Sequence, residues 1–430
     1  MLTLWWPLAG SWLLMGVEMP MLTAAMTRMP GGEPHLAAIG SLVYPLSILI
    51  EAPIIMLLAA STALVKDLAT HAKLLRFAHG ASAALTLLHV AVAFSPLFDW
   101  VVLDVIGAPR ETLAPGRVGM QLMTPWTWAI GYRRFQQGVL IRCGRSDLVG
   151  VGTIVRLLCN LLVLSVGLWV GTWPGIVVAA CAISVGVTAE AAWAGWSFHR
   201  AAKPSLPAAP DAELISWSAF ASFYAPLAFI PIITIVIQPL GSWAMSEMRG
   251  PLQSLAAWPA VYGLVFLSRS VGFAYNEVVV SLSSEPGGRC ALRRCGVGIA
   301  AFTTAAMALL ALTPLGSIWF DVVSGLPEDL TALSRASLPL AILMPCYAVV
   351  QNHLQGLMVA SKRTRPVTEA VVLYLFVCAA CLLAGMRWMP DVPGIQVTLI
   401  AFNVAGLAQT WWLWRGLRAG ERQALASERR

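Results

Sequence analysis

Charge is scarce in this chain of 430 residues. Lys, Arg, Asp and Glu make up 11% of it, against about 25% in an ordinary soluble domain. No polar stretch is long enough for a separate water-soluble domain. The signatures of catalysis are missing too: DxxxD, HExxH and GxSxG do not occur. A membrane-embedded enzyme would therefore lack a nucleophile, a metal set or paired acids near one face. None of the eight cysteines falls in an expected outer connection, so no disulfide framework is implied. Cys378 and Cys381 form a CxxC inside the apolar run VVLYLFVCAACLL, with no second ligand pair, and read as packing rather than zinc.

Apolar residues are abundant, at 58%. Runs long enough to cross roughly 30 Å of hydrocarbon recur from end to end, at about 4–27, 35–64, 74–97, 119–142, 148–171, 174–198, 212–239, 251–281, 292–315, 333–360, 366–386 and 394–416. The expected fold is an all-α polytopic membrane protein of twelve spans. The first run has neither a basic leader nor a small-residue cleavage site and reads as a retained helix. Most of the 28 Lys and Arg residues lie in the connections after even-numbered spans and in the C-terminal tail. The positive-inside rule then places both termini in the cytoplasm. This basic rim accounts for the +7 net charge and argues against a nucleic-acid partner. A bacterial-type inner membrane and a monomer are expected.

The chain repeats itself. Shifting it by 219 residues aligns 7–38 with 226–257, matching Pro7, Pro20, Met29 and Gly31 with Pro226, Pro239, Met248 and Gly250. A second block, offset by 218, pairs Gln137, Gly138, Arg145 and Gly167 with Gln355, Gly356, Arg363 and Gly385. A six-helix unit used twice is expected, with lobes 1–206 and 207–430 divided by the Pro/Ala-rich connection HRAAKPSLPAAPDAE. Because six is even, both copies enter the membrane in the same direction. Carriers built this way hold a substrate between their halves and alternate its access.

A few charges remain inside the spans: Arg133, Arg134, Arg156 and Arg269, with Glu18, Glu51, Glu190 and Glu277. Each costs roughly 2.5 to 3.5 kcal/mol at mid-bilayer, even on the lenient insertion scale, and is a candidate functional residue by default. Glu369, near a helix start, reads as a cap. Shifted by 219, Glu51 falls at 270, beside Arg269. Either these two pair across the lobes, or each finds a partner within its own, for example Arg269 with Glu277.

Arg134 and Arg156 lie equally far from Arg145 on opposite arms of a hairpin, which sets them at one depth, with Glu190 at a comparable level. One arginine can pair with Glu190, leaving positive charge at Arg133 and Arg134. Gln351 and Asn352 stand at the equivalent positions of the second lobe. Guanidinium groups bind phosphate and carboxylate through paired donors, so a small anionic substrate is expected. Contact with lipid headgroups or a structural network is the alternative. Pro7, Pro20, Pro226 and Pro239 are expected helix kinks. Glu18, beside Pro20, is either a site for a coupling proton or sodium ion or a satisfied hydrogen-bond partner. His353 reads as a polar rim residue. No bound cofactor is called for.

These residues resemble the MOP exporter superfamily, which includes the MATE (multidrug and toxic-compound extrusion) proteins and lipid-linked oligosaccharide flippases. The likeness rests on the paired prolines of helices 1 and 7, LAA opening helices 2 and 8, and Gln-Gly before a basic turn in QQGVLIRCGR and LQGLMVASKR. WWPLA, EAP and NHLQGLMVASKRT further resemble the progressive ankylosis protein family. The superfamily implies two six-helix lobes that open alternately to either side. The ankylosis family implies export of small polyanions such as pyrophosphate, citrate or nucleotides. Glu51 departs from that family's neutral residue, so its role is not carried over. Helix 1 offers only Glu18 where many MATE proteins have an aspartate-rich cation site. Efflux of a small organic or phosphorylated anion leads; a flippase for lipid-linked saccharide, multidrug cation efflux and a membrane-embedded enzyme are the alternatives.

Overall fold

A computed structural model describes residues 2–208, 215–283, 285, 287–361 and 365–428. Each apolar run of the sequence is met by a helix. We number them α1 (Leu2–Met26), α2 (Gly32–Leu64), α3 (Leu68–Phe94), α4 (Thr124–Arg142), α5 (Ser146–Val170), α6 (Gly175–Ser197), α7 (Trp217–Ile235), α8 (Pro251–Leu282), α9 (Gly288–Leu312), α10 (Met344–Ala360), α11 (Arg365–Trp388) and α12 (Gly394–Glu428). Short helices, Leu113–Leu122 and Glu328–Ser337, lead into α4 and α10, and Ile237–Ser246 continues α7. Among the described residues there is no strand, only an isolated bridge between Arg249 and Pro393.

Among the described residues, seven helices are long and apolar enough by themselves to cross a membrane. The chain is an integral membrane protein. Helix α4 is not among the seven because it carries Arg133, Gln136 and Gln137 on a buried face.

Local chemistry sets the helix ends. The Asp67 carboxylate accepts from Thr70 N at 2.7 Å and opens α3; Ser216 accepts from Ala219 N at 3.1 Å and opens α7. Pro125 and Pro345 enter the first turns of α4 and α10, where no amide donor is needed. Helix α7 stops at Ile235, four residues before Pro239, whose ring excludes the carbonyl at that spacing. The helix is interrupted at Val236 and resumes at Ile237, so Pro239 sits just past an irregularity in one continuous span. Pro226 sits inside α7 without ending it. Pro20 lies within the continuous helix α1; the side chain of Pro7 lies outside the described residues.

Matched local structures repeat through the chain. Gly31 and Gly250 both take positive φ, 130° and 63°, before α2 and α8. After α3 and α9, Ser95 and Thr313 accept from Leu97 N at 3.2 Å and Leu315 N at 3.3 Å. The π-helical turns Trp100–Val105 and Ile318–Val323 follow. Gly138 of α4 is packed so closely on α2 that a Cβ there would strike the Leu58 carbonyl and the Ser61 hydroxyl; at Gly356 of α10 it would strike Val279 and the Asn276 carbonyl.

The π-helical turn Ala38–Val43 explains why the offset is 219 before it and 218 after it. Helix α2 holds one residue more than α8, and a π turn is how a helix accommodates an insertion. Past that turn, Glu51 is equivalent to Arg269 itself rather than to the residue after it.

By packing, the chain divides otherwise than at residue 206. One unit is Met1–Ala24 with Ala244–Arg430, and the other is Ala25–Trp243. Helix α1 joins the first because a Cβ at Gly263 would lie 3.2 Å from the Pro20 ring, and Trp12 stands 5.2 Å from Phe273. Residues 217–243 join the second: Tyr224 Oη donates to Pro53 O at 2.6 Å, Ser242 Oγ to Ser41 O at 2.6 Å, and Phe77 meets Phe220 at 4.7 Å. The first and seventh spans are therefore exchanged relative to a cut between the two repeats.

Candidate functional site

In the unit Ala25–Trp243, α2, α4, α5 and α6 bring charged side chains together in the protein interior. Glu190 of α6, 1% exposed, is the hub. Its Oε2 accepts from Arg133 Nη1 and lies 3.7 Å from Arg156 Nη1, and its Oε1 accepts from Gln137 Nε2 at 3.0 Å. Small residues permit this approach. A Cβ at Gly152 of α5 would lie 3.4 Å from Glu190 Cγ, and one at Gly186 of α6 would collide with Asn160. Removing one partner from such a buried pair costs about 3–5 kcal/mol, because it strands the other charge.

Arg134 differs from its neighbour. Among the described residues it forms no ion pair, whereas Arg133 pairs with Glu190; the Nε atoms of both are buried without a hydrogen-bond partner. Glu190 and Glu51 attract it, while Arg133 and Arg156 repel it. Glu51 completes the group on α2. It is fully buried and neither carboxyl oxygen has a hydrogen bond, although Arg133, Arg134 and the Thr127 side chain act on it. Arg133, Arg134 and Arg156 against Glu51 and Glu190 leave an excess of positive charge. The expectation that a single arginine neutralises Glu190 is corrected: Arg133 and Arg156 share it, and Arg134 is left.

The equivalent core of the other unit carries different side chains. Arg269 of α8 takes the place of Glu51, with Gln351, Asn352 and Tyr374 in place of Arg133, Arg134 and Arg156. Gln351 Nε2 donates to Gly406 O at 2.9 Å and to Thr410 Oγ1 at 3.1 Å, both on α12. Asn352 Nδ2 donates to Ala348 O at 2.8 Å within its own helix. Arg269 lies 5.9 Å from the Phe273 ring, with Tyr262, Tyr347 and Tyr374 as the polar groups acting on it. No ion pair joins it to Glu277 among the described residues; Glu277 is exposed on α8. Glu18 is buried on α1. His353, a rim residue by sequence, stacks on Tyr275 and shares a 3.2 Å hydrogen bond with its hydroxyl.

The sequence reading missed Gln137 as a ligand of Glu190, the three tyrosines about Arg269, and His89. This histidine in the run LTLLHVAVAF is fully buried and bonded at both ring nitrogens. Its one legible signal was a polar residue in an apolar span.

No family model matches the chain, and no curated protein matches its sequence. Solved structures do match it along nearly its whole length. A multidrug resistance MATE family transporter of the MOP superfamily, in an inward-facing conformation, superposes with a TM-score of 0.67 at 13% identity, covering 96% of this chain and 95% of that one. The lipid II flippase MurJ, inward closed, gives 0.65 at 11% identity, covering 94% and 85%. A MOP superfamily transporter from Pyrococcus furiosus, described as having a binding pocket of reversed polarity, gives 0.61 at 13%, covering 97% and 96%. The helix order, the duplication and these superpositions together give the chain the fold of the MATE transporters of the MOP superfamily.

Proposed function

We propose that this protein is a secondary active transporter that exports a small organic or phosphorylated anion by alternating access. The observation that carries the reading is Arg134: among the described residues, a guanidinium that forms no ion pair, in a buried group whose other arginines meet Glu190. Paired guanidinium donors suit phosphate and carboxylate oxygens. The substrate supplies the charge that Arg134 lacks. Arg269, Gln351 and Asn352 are the substrate-binding candidates of the other repeat. Glu18, Glu51 and Glu277 are the candidates for coupling to a proton or sodium ion, and Glu190 holds the arginines in register. The protein acts as a monomer in the cytoplasmic membrane with both termini inside.

The test is uptake of labelled citrate and pyrophosphate into liposomes containing the purified full-length protein, with and without a pH gradient. Saturable uptake lost in Arg134→Ala supports an anion carrier. Absence of uptake from a folded preparation moves the reading to a lipid-linked substrate of the kind MurJ handles, or to a cation.

A further inference from the structure

Helices α9 and α10, both in the unit formed by Met1–Ala24 and Ala244–Arg430, border a cavity of about 730 Å³. Its wall on α9 is a row of small residues four apart, Gly296, Ala300, Thr304 and Ala308, with Cys346 and Val350 on α10. That spacing keeps the row on one side of the helix. Small side chains there ordinarily let a neighbouring helix approach closely; in this unit they border a void.

The other repeat shows that the void is not a property of the fold. At the offset of 218, the lining residues Val297, Cys346 and Val350 correspond to His79, Trp128 and Tyr132. Those three rings pack on one another, His79 lying 5.4 Å from Trp128 and 5.6 Å from Tyr132. One repeat plugs the position with aromatic rings, and the other leaves it open.

One end of the cavity is basic. Arg293 lines it, and Arg289 and Arg294 stand in the same first turns of α9. All three are exposed, and among the described residues none forms an ion pair. His353 belongs to this end too: Tyr275 Oη donates to Leu292 O and shares a 3.2 Å hydrogen bond with His353 Nδ1, which sets the imidazole level with the start of the row. From Arg293 to Ala308 the wall runs about 22 Å along α9, more than half of a hydrocarbon layer of roughly 30 Å. Val297, 63% exposed, opens this side of a membrane-spanning helix to the outside of the protein.

We propose that the cavity binds one anionic phospholipid, which lays an acyl chain along α9 and sets its phosphate against Arg293. Charge complementarity selects this occupant. An apolar slot of leaflet depth that ends in guanidinium groups suits a molecule with a hydrocarbon chain and a phosphate at that end. A small soluble anion would leave the slot empty, and a zwitterionic lipid brings an ammonium group that the arginines repel. The site is built from other residues than the buried arginines around Glu190, and it does not rest on the transport reading.

The test is native mass spectrometry of the full-length protein titrated with phosphatidylglycerol and with phosphatidylcholine of the same acyl chains. The first phosphatidylglycerol is expected to bind roughly tenfold more tightly than the first phosphatidylcholine, the size of one hydrogen bond to a charged group. Arg293→Ala is expected to abolish that preference. Arg76→Ala, which removes the counterpart of Arg294 beside the plugged position, is expected to keep it. Filling the cavity as the other repeat does, by Cys346→Trp or by Val350→Tyr at a half-exposed position, is expected to abolish the tight binding while the protein stays folded. Equal affinity of the parent protein for the two lipids, the same response in Arg293→Ala and Arg76→Ala, or tight binding that survives in a folded cavity-filling variant overturns the site.

Discussion

Glu51 and Arg269 occupy the same position of a duplicated scaffold, reached once the π-helical turn Ala38–Val43 absorbs the extra residue of α2. One repeat places a carboxylate among arginines; the other places a guanidinium among tyrosines and amides. The backbone has been copied, the charge at this one position has changed sign, and the three arginines of the first core are replaced by neutral residues in the second. Duplication thus produces two cores of equal shape and unequal chemistry.

Exchanging these two charges tests whether each core is built around its own. Glu51→Arg sets a third guanidinium beside Arg133 and Arg134, and Arg269→Glu puts a carboxylate among phenol oxygens. The double exchange is expected to be no more active in uptake than the worse single variant. Recovery of transport in the double variant contradicts this.

The hub at Glu190 predicts an ordering of stabilities. Glu190→Ala leaves Arg133 and Arg156 buried without their shared carboxylate, at a cost of about 3–5 kcal/mol. Arg134→Ala removes no ion pair. A large drop in Tm is expected for the first variant and a small one for the second. Equal drops would make Arg134 part of the structural network.

The repeated close approach of helices gives a second stability test. Gly138→Ala drives a methyl group into the Ser61 hydroxyl and Leu58 carbonyl, and Gly356→Ala drives one into the Val279 side chain and toward the Asn276 carbonyl, each costing about 1–3 kcal/mol by overpacking. At Gly298 nothing lies within 4 Å of an added Cβ, and Gly298→Ala is expected to leave Tm unchanged. Thermal melts of the three variants in one detergent decide the matter.

How far the sequence anticipated this protein depends on the kind of signal. Apolar run length located α1 to α12, since crossing hydrocarbon leaves little freedom, but not the short helices Leu113–Leu122 and Glu328–Ser337. The Pro7/Pro226 and Gly138/Gly356 matches exposed the duplication, because proline and close-approach glycine are tied to backbone geometry. The partners of Glu190 were only half legible. A hairpin count sets depth along a helix, but not the rotation that gives Arg133 to Glu190 and leaves Arg134 without it. The helix exchange was hidden because contacts such as Tyr224 to Pro53 join residues far apart in sequence, which no periodicity encodes. The alignment of Glu51 with 270 rather than Arg269 failed for a local reason: a π turn has no sequence mark as plain as a proline.

The central claim, that Arg134 meets an anion, is tested most directly by equilibrium binding of radiolabelled pyrophosphate to the purified full-length protein in lipid nanodiscs. The comparison includes Arg134→Ala and, as a control, Arg145→Ala, whose guanidinium pairs with Asp147 on the surface. Losing a hydrogen bond to a charged group costs about 1.5–3 kcal/mol, so binding to Arg134→Ala should weaken by roughly tenfold or more. Arg145→Ala should bind as the parent protein does. Absence of saturable binding to the folded parent, or equal affinity in the two variants, would contradict the account.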